Sequence, residues 1–160
     1  MTLELRQLHP LFAAEADGID LARPIDAATV DAIWQAINRY AVLVFRRQRL
    51  DDTQLRDFAA QFGPLEIGRA AAAGGRRRLK HPEIGDISNL DEDGRLRPRD
   101  DRRRLDSLGN RLWHTDASYM PVPVVLGMLH AVAVPPASAL GGARPNSPIC
   151  ARPTMPCPRT

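Results

Sequence analysis

The composition of the chain changes abruptly after Gly142, and this change limits the part of the sequence that can fold. Residues 143–160 contain three arginines, five of the 14 prolines, both cysteines and no acidic residue. Residues 1–142 therefore hold 19 basic and 19 acidic side chains, so their net charge is zero. A segment of that length makes about one domain of ordinary size. We expect residues 1–142 to fold and residues 143–160 to form a disordered tail.

Composition places the chain among globular proteins and excludes several other classes. Apolar residues make up 44% of the sequence and charged residues 26%, which is typical of a folded domain. No apolar run approaches the roughly 18 residues that a membrane-spanning helix needs. The first ten residues, MTLELRQLHP, lack the basic-then-apolar layout of a secretory signal. We therefore predict a cytoplasmic protein with no membrane partner.

Hydrophobic spacing predicts two helices with a strand between them. Apolar residues recur at helical spacing over residues 26–40, with Asp26 as the N-cap, and again over residues 51–62. Residues 41–46 form a short, mainly apolar run that contains β-branched residues, as in a buried strand. Further strands are predicted over residues 3–8, 19–21, 86–88, 112–116 and 127–134. This order predicts an α+β fold, mainly β, with flanking helices.

An arginine-rich stretch over residues 76–104 allows two interpretations. Its basic clusters alternate with acidic ones, and interleaved charges usually indicate a solvated loop. The alternative is a non-catalytic module that uses this stretch to bind anions or nucleic acid. Zero net charge over residues 1–142 and few aromatic residues for stacking favour the solvated loop. We therefore predict no nucleic-acid partner.

The motif Trp113-His114-Thr115-Asp116 is the clearest candidate for chemistry. On a strand, residues two apart project from the same face, so His114 and Asp116 would present an imidazole beside a carboxylate. Non-haem Fe(II) oxygenases use such a pair with a second histidine, and the three ligands leave positions open. The tripeptide alone is weak evidence, because it occurs by chance in many unrelated chains and a histidine hydrogen-bonded to a nearby aspartate is then the favoured interpretation.

The surroundings of this motif give it a family context. They include ADGIDL at residues 16–21, VLVFRRQRL at 42–50, FAAQFGPLE at 58–66 and LGNRLWHTDASY at 108–119. In this order they resemble the taurine/2,4-dichlorophenoxyacetate (TauD/TfdA) dioxygenase family. The resemblance covers essentially all of residues 1–142, which would be the N-terminal portion of such a domain.

The family resemblance implies a fold, an activity and a set of site residues. The fold is a double-stranded β-helix, or jelly roll, of which this chain holds an incomplete part. The activity is that of an Fe(II)- and 2-oxoglutarate-dependent dioxygenase, which couples oxidative decarboxylation of 2-oxoglutarate to hydroxylation of a small-molecule substrate by O2. His114 and Asp116 would be metal ligands with the third ligand missing, and Asn110 and Leu129 would lie near substrate or cosubstrate. Full-length relatives commonly form homo-oligomers.

The tail departs from the family pattern directly after Gly141-Gly142. Family members continue with a segment resembling Asp-Thr-Glu-Phe, whose threonine binds 2-oxoglutarate. When the degenerate codons of residues 143–160 are read two bases later, they permit Thr-Glu-Phe-Ala-Asp-Met-Arg-Ala-Ala-Tyr-Asp-Ala-Leu-Pro. This peptide resembles the family's own continuation. We therefore expect a frameshift near Gly142 and a truncated chain without dioxygenase activity.

Overall fold

The computed structural model describes residues 2–68, 74, 76–106, 112, 116 and 120–133. These residues belong to two compact units. The first contains residues 2–62 and 130–133, and the second contains the described part of residues 63–129. Among the residues described, no helix is long and apolar enough to cross a membrane.

A three-stranded mixed sheet forms the centre of the first unit. Strand β1 (Glu4–Gln7) pairs antiparallel with β2 (Ala14–Asp17), and β2 pairs parallel with β3 (Leu43–Val44). The spatial order is β1-β2-β3. A parallel pair needs a long crossover connection, and the chain between β2 and β3 contains the first helix.

Helix α1 (Ala27–Tyr40) begins where the sequence predicts it. The Asp26 carboxylate accepts a hydrogen bond from the Thr29 backbone N–H at 2.7 Å, which satisfies one of the free donors of the first turn. The Thr29 side chain and backbone N–H both hold the pKa of Asp26 below its usual value. Ile33 and Ala36 lie on the buried face of this helix.

Helix α2 (Asp52–Ala60) also follows the prediction, although it ends two residues before Phe62. Asp51 and Gln54 form a capping box, in which the side-chain oxygen of each residue accepts a hydrogen bond from the backbone N–H of the other. Phe58 is the buried residue of this helix. Its ring lies 5.2 Å from that of Phe62 and 6.4 Å from that of Phe45, in edge-to-face geometry.

Strand β2 is the most deeply buried strand, and it carries a charge. Ala14 and Ala16 are fully buried, and Glu15 between them is 5% exposed. The Glu15 carboxylate accepts from Arg46 Nε at 3.1 Å and from Arg6, its cross-strand neighbour on β1. The Arg46 hydrogen bond lowers the pKa of Glu15. Two guanidinium groups therefore compensate the buried carboxylate, as burial of a charge requires.

Two strand predictions in the first unit are wrong in position or length. Residues 19–21 form no strand, because their backbone is paired with a side chain. Gln48 donates to the Ile19 carbonyl at 3.2 Å and accepts from the Leu21 N–H at 3.0 Å. The strand predicted over residues 41–46 is limited to Leu43–Val44. The predicted strand over residues 3–8 is confirmed as β1.

The second unit has little regular structure among its described residues. It contains a short helix α3 (Arg102–Asp106) and an isolated antiparallel bridge between Leu90 and Leu96. The strand predicted over residues 86–88 is wrong. The described parts of the strands predicted over 112–116 and 127–134 are likewise not strands, since no described segment pairs with them. Residues 113–115 and 134 lie outside the described residues. The described chain thus combines helices with a small mixed sheet.

Ala41, at the C-terminal cap of α1, is a strained position that glycine should relieve. Its backbone has φ 61° and ψ −31°, a conformation that is costly for any residue with a Cβ. We expect Ala41→Gly to raise the free energy of unfolding by about 0.5–1 kcal/mol. Ala28→Gly, at an exposed position in the first turn of the same helix, should lower it by a similar amount. Urea denaturation followed by circular dichroism measures both, and destabilisation by Ala41→Gly would contradict the assignment of strain.

Candidate metal and cosubstrate site

Two of the four predicted site residues lie among the described residues. Asp116 is exposed and lies in a turn, and Leu129 is 86% exposed. His114 and Asn110 lie outside the described residues. The part of the chain that the structure describes contains no group of three or more His, Cys, Asp or Glu side chains that could hold a metal ion. The described residues therefore do not by themselves assemble a complete metal site.

The chemistry of the predicted pair suits a non-haem iron site but does not complete one. An imidazole and a carboxylate are two of the three ligands of the facial triad. The described histidines are His9, His81 and His130, and none of them joins Asp116 in a cluster of three potential ligands.

The segment that leads towards the motif is ordered by a tight turn at Asp91. The Asp91 N–H donates to the Arg95 carbonyl at 2.8 Å, and the Arg97 N–H donates to the Asn89 carbonyl at 2.9 Å. The Asp91 carboxylate accepts from the N–H groups of Asp93 and Arg95 at 2.9 and 2.8 Å. An aspartate side chain that bonds to nearby backbone in this way is typical of an Asx turn.

Arg97 anchors this turn to the start of α3. Its side chain is 13% exposed and donates from Nε to the Leu90 carbonyl at 2.8 Å and from Nη2 to Glu92 at 3.1 Å. A weaker contact of 3.5 Å joins Nη1 to Asp101, whose carboxylate accepts from the Arg104 N–H at the first turn of α3. One guanidinium thus connects the turn with the helix that precedes residues 107–116.

The sequence interpretation missed this role of Arg97, because it treated residues 76–104 as uniformly solvated. The spacing offered a signal, since Glu92 and Asp101 lie five residues before and four residues after Arg97. Carboxylates at such distances on both sides can converge on one guanidinium, which has five donors in a fixed geometry.

Other arginines of this stretch are also paired with carboxylates. Arg78 donates from two nitrogens to Asp86 at 2.8 and 2.7 Å, which lowers the pKa of that carboxyl group. Arg76 contacts Asp93 at 2.7 Å, and Arg103 contacts Glu92. Internal neutralisation of this kind leaves less positive charge for phosphates. Nothing in these contacts supports the anion- or nucleic-acid-binding alternative.

Glu92 makes this network sensitive to acid. A hydrogen bond from its own backbone, together with those from Arg97 and Arg103, lowers its pKa from 4.5 to about 2. A carboxylate whose pKa is lowered in the folded state stabilises the folded protein above about pH 4.5, and this contribution is lost as the pH falls towards 2.

The urea concentration at the midpoint of unfolding should therefore fall between pH 4.5 and pH 2. We expect Glu92→Gln to make this fall smaller. Exposed Glu66, which takes part in none of the ion pairs among described residues, supplies the matched control Glu66→Gln. Identical profiles for Glu92→Gln and the parent protein would contradict this role.

Comparison with known proteins identifies the family. The model of the TauD, TfdA family, described as taurine catabolism dioxygenase, matches residues 4–146. The relatives found by sequence include α-ketoglutarate-dependent 2,4-dichlorophenoxyacetate dioxygenases. The one from Cupriavidus pinatubonensis is 40% identical over 136 residues, covering 85% of this chain and 47% of the relative. The one from a Burkholderia species is 36% identical over 136 residues, covering 85% and 46%. The chain belongs to the TauD/TfdA family of dioxygenases.

A solved structure supports the same conclusion. The crystal structure of AAD-2 in complex with Mn(II) and N-oxalylglycine aligns with a TM-score of 0.65 and 36% sequence identity. The alignment covers 77% of this chain and 39% of AAD-2. The chain thus spans less than half the length of the relatives it matches. The family match includes all four predicted site residues.

Proposed function

We propose that this chain contributes the N-terminal half of an Fe(II)- and 2-oxoglutarate-dependent dioxygenase. The family match over residues 4–146, which includes the His114 and Asp116 motif, is the observation that carries the proposal. Such an enzyme couples oxidative decarboxylation of 2-oxoglutarate to hydroxylation of a substrate C–H bond by O2. Because both sequence relatives above are named for 2,4-dichlorophenoxyacetate, a phenoxyacetate is the first substrate to test. A cytoplasmic location and homo-oligomerisation belong to the same proposal.

His114 and Asp116 would hold the iron as two ligands, and the remaining half of the fold would supply the third. Bound iron would supply the site at which O2 and 2-oxoglutarate react. Asn110 and Leu129 would lie near substrate or cosubstrate. Leu129 is 86% exposed, and a leucine that lines a binding site has to be covered by further protein. The missing portion of a jelly roll would provide that cover.

Residues 1–142 would be the N-terminal portion of the dioxygenase domain, and residues 143–160, which lie outside the described residues, would be an out-of-frame tail. The composition change after Gly142 supports this division, and the family match ends four residues later, at residue 146. DNA sequencing across codons 135–165 and several hundred bases beyond tests it. We expect one reading frame to continue through Thr-Glu-Phe to a distal histidine and arginine. A downstream sequence without those codons in any frame would contradict it.

Metal binding tests the assignment of the two ligands. The protein to use is a chimera in which residues 1–142 are joined to the part of the Cupriavidus relative that follows the matched segment. Mn(II) titration by calorimetry should show one tight site. His114→Ala and Asp116→Ala should each weaken it by more than about 100-fold, since even outer-shell changes cost 10–100-fold. His9→Ala, outside the motif, is the matched control. Undiminished Mn(II) binding by His114→Ala would overturn the assignment.

A further inference from the structure

Helix α3 is too short to be stable alone, so its order depends on contacts with the residues before it. It spans five residues, Arg102–Asp106, whereas isolated helices shorter than about 12 residues are marginal in water. The Asp101 carboxylate accepts a hydrogen bond from the Arg104 N–H at 3.2 Å, and the Asp101 carbonyl accepts one from the Leu105 N–H at 3.0 Å. Asp101 thus caps the helix, and a residue that holds Asp101 also holds the start of α3.

Arg97 attaches this capped helix to the preceding turn from two directions. Its guanidinium donates to the Leu90 carbonyl, to Glu92 and to Asp101. Its own carbonyl accepts from the Arg104 side chain at 3.4 Å. Because the Arg97 side chain is only 13% exposed, salt and water screen these charge-assisted hydrogen bonds less than those at the surface.

We propose that Arg97 is a positioning residue for the metal motif, which acts through α3 on the placement of His114 and Asp116. This inference rests on the proposed function, in which these two side chains bind the metal. His114 lies eight residues after Asp106, the last residue of α3. A segment that leaves a fixed helix has fewer conformations to lose than one that follows a free chain. Ligands held in this way bind a metal more tightly, because less order has to be imposed on binding.

Trp113 lies directly before His114 and reports on the motif, and Trp34 in α1 is an internal control. The full 160-residue chain is labelled with 5-fluorotryptophan, and its two fluorine resonances are assigned with Trp113→Phe. We expect Arg97→Gln to move the Trp113 resonance towards its position in the urea-unfolded chain and to leave the Trp34 resonance in place. The matched control is Arg99→Gln, at an exposed arginine that takes part in none of the ion pairs among described residues. It should move neither resonance.

Mn(II) titration of the chimera of residues 1–142 tests the consequence for the metal. Arg97→Gln should weaken Mn(II) binding by about 10-fold, the lower end of what outer-shell changes cost. Arg97→Lys keeps the charge but lacks the planar fork of donors, so its Mn(II) affinity should lie between those of Arg97→Gln and the parent chimera. Arg99→Gln should leave Mn(II) affinity unchanged.

Three results would overturn the proposal. One is a Trp113 resonance that coincides with that of the unfolded chain before any substitution, and a second is Arg97→Gln with unchanged Trp113 resonance or unchanged Mn(II) affinity. The third is an equal displacement of both fluorine resonances by Arg97→Gln and Arg97→Lys, since Arg97 would then support the whole fold. A parent chimera that binds no Mn(II) would overturn the proposed function instead. The two failures are distinguishable because the fluorine spectra are recorded without metal.

Discussion

Replacing Gly18 by alanine is expected to lower the free energy of unfolding by about 3 kcal/mol. Two independent costs combine at this position. The backbone has φ +88°, which side chains with a Cβ rarely adopt, and a Cβ would lie 2.3 Å from the Thr2 carbonyl oxygen. That oxygen belongs to the backbone two residues before the start of β1, so it cannot rotate away as a side chain would. The substitution must therefore shift the start of β1.

A substitution at Gly94 measures the conformational cost without the steric one. Gly94 has a similar φ of +79°, but nothing lies within 4 Å of where its Cβ would be. Gly94→Ala should therefore show the conformational cost alone, about 1 kcal/mol. Urea denaturation followed by circular dichroism measures both variants. Equal destabilisation by Gly18→Ala and Gly94→Ala would show that the close approach to Thr2 has no energetic effect.

Phe58→Ala is expected to destabilise the first unit by about 3–5 kcal/mol, the usual cost of removing a buried aromatic ring. Phe58 is 5% exposed and is the central ring of a cluster, with Phe45 and Phe62 on either side. Phe62 in turn contacts Trp34 of α1, with ring centroids 6.0 Å apart. Loss of the central ring would remove the packing of α2 against Phe45 and Phe62.

Thermal denaturation measures this loss, and we expect the midpoint to fall by roughly 10 °C. Phe58→Leu keeps most of the buried volume and should cost about 1.5 kcal/mol or less. A shift of less than about 2 °C for Phe58→Ala would contradict the placement of this ring at the centre of the core.

The helices were predictable because their signals are local. Asp26 and Asp51 each precede an apolar pattern of period 3.6, and both cap the helix that follows. Strand β2 was not predictable in the same way. Its sequence, AEAD, has low β-propensity, and its place comes from pairing with β1 and β3 and from the two arginines that hold Glu15. These are long-range contacts that a local pattern does not encode.

The candidate site was accessible to sequence reasoning in a different way. His114 and Asp116 attract attention through the chemistry of their side chains and the motifs around them, and the family match over residues 4–146 confirms that context. The sequence spacing of Glu92 and Asp101 around Arg97 was only a weak signal, and the contacts of Arg97 with Leu90, Glu92 and Asp101 establish its role. A strand was predicted over residues 127–134, but the described residues 127–133 form none, because strand pairing depends on long-range contacts that a local apolar pattern does not encode.

Succinate formation tests the central claim most directly. The chimera and the 160-residue chain are each incubated with Fe(II), 2-oxoglutarate and 2,4-dichlorophenoxyacetate. The chimera should release succinate, its His114→Ala variant should release none above background, and the 160-residue chain alone should match that variant. Succinate from the 160-residue chain above its own His114→Ala control, or full activity of the chimera without His114, would contradict the assignment of this chain as half of a dioxygenase.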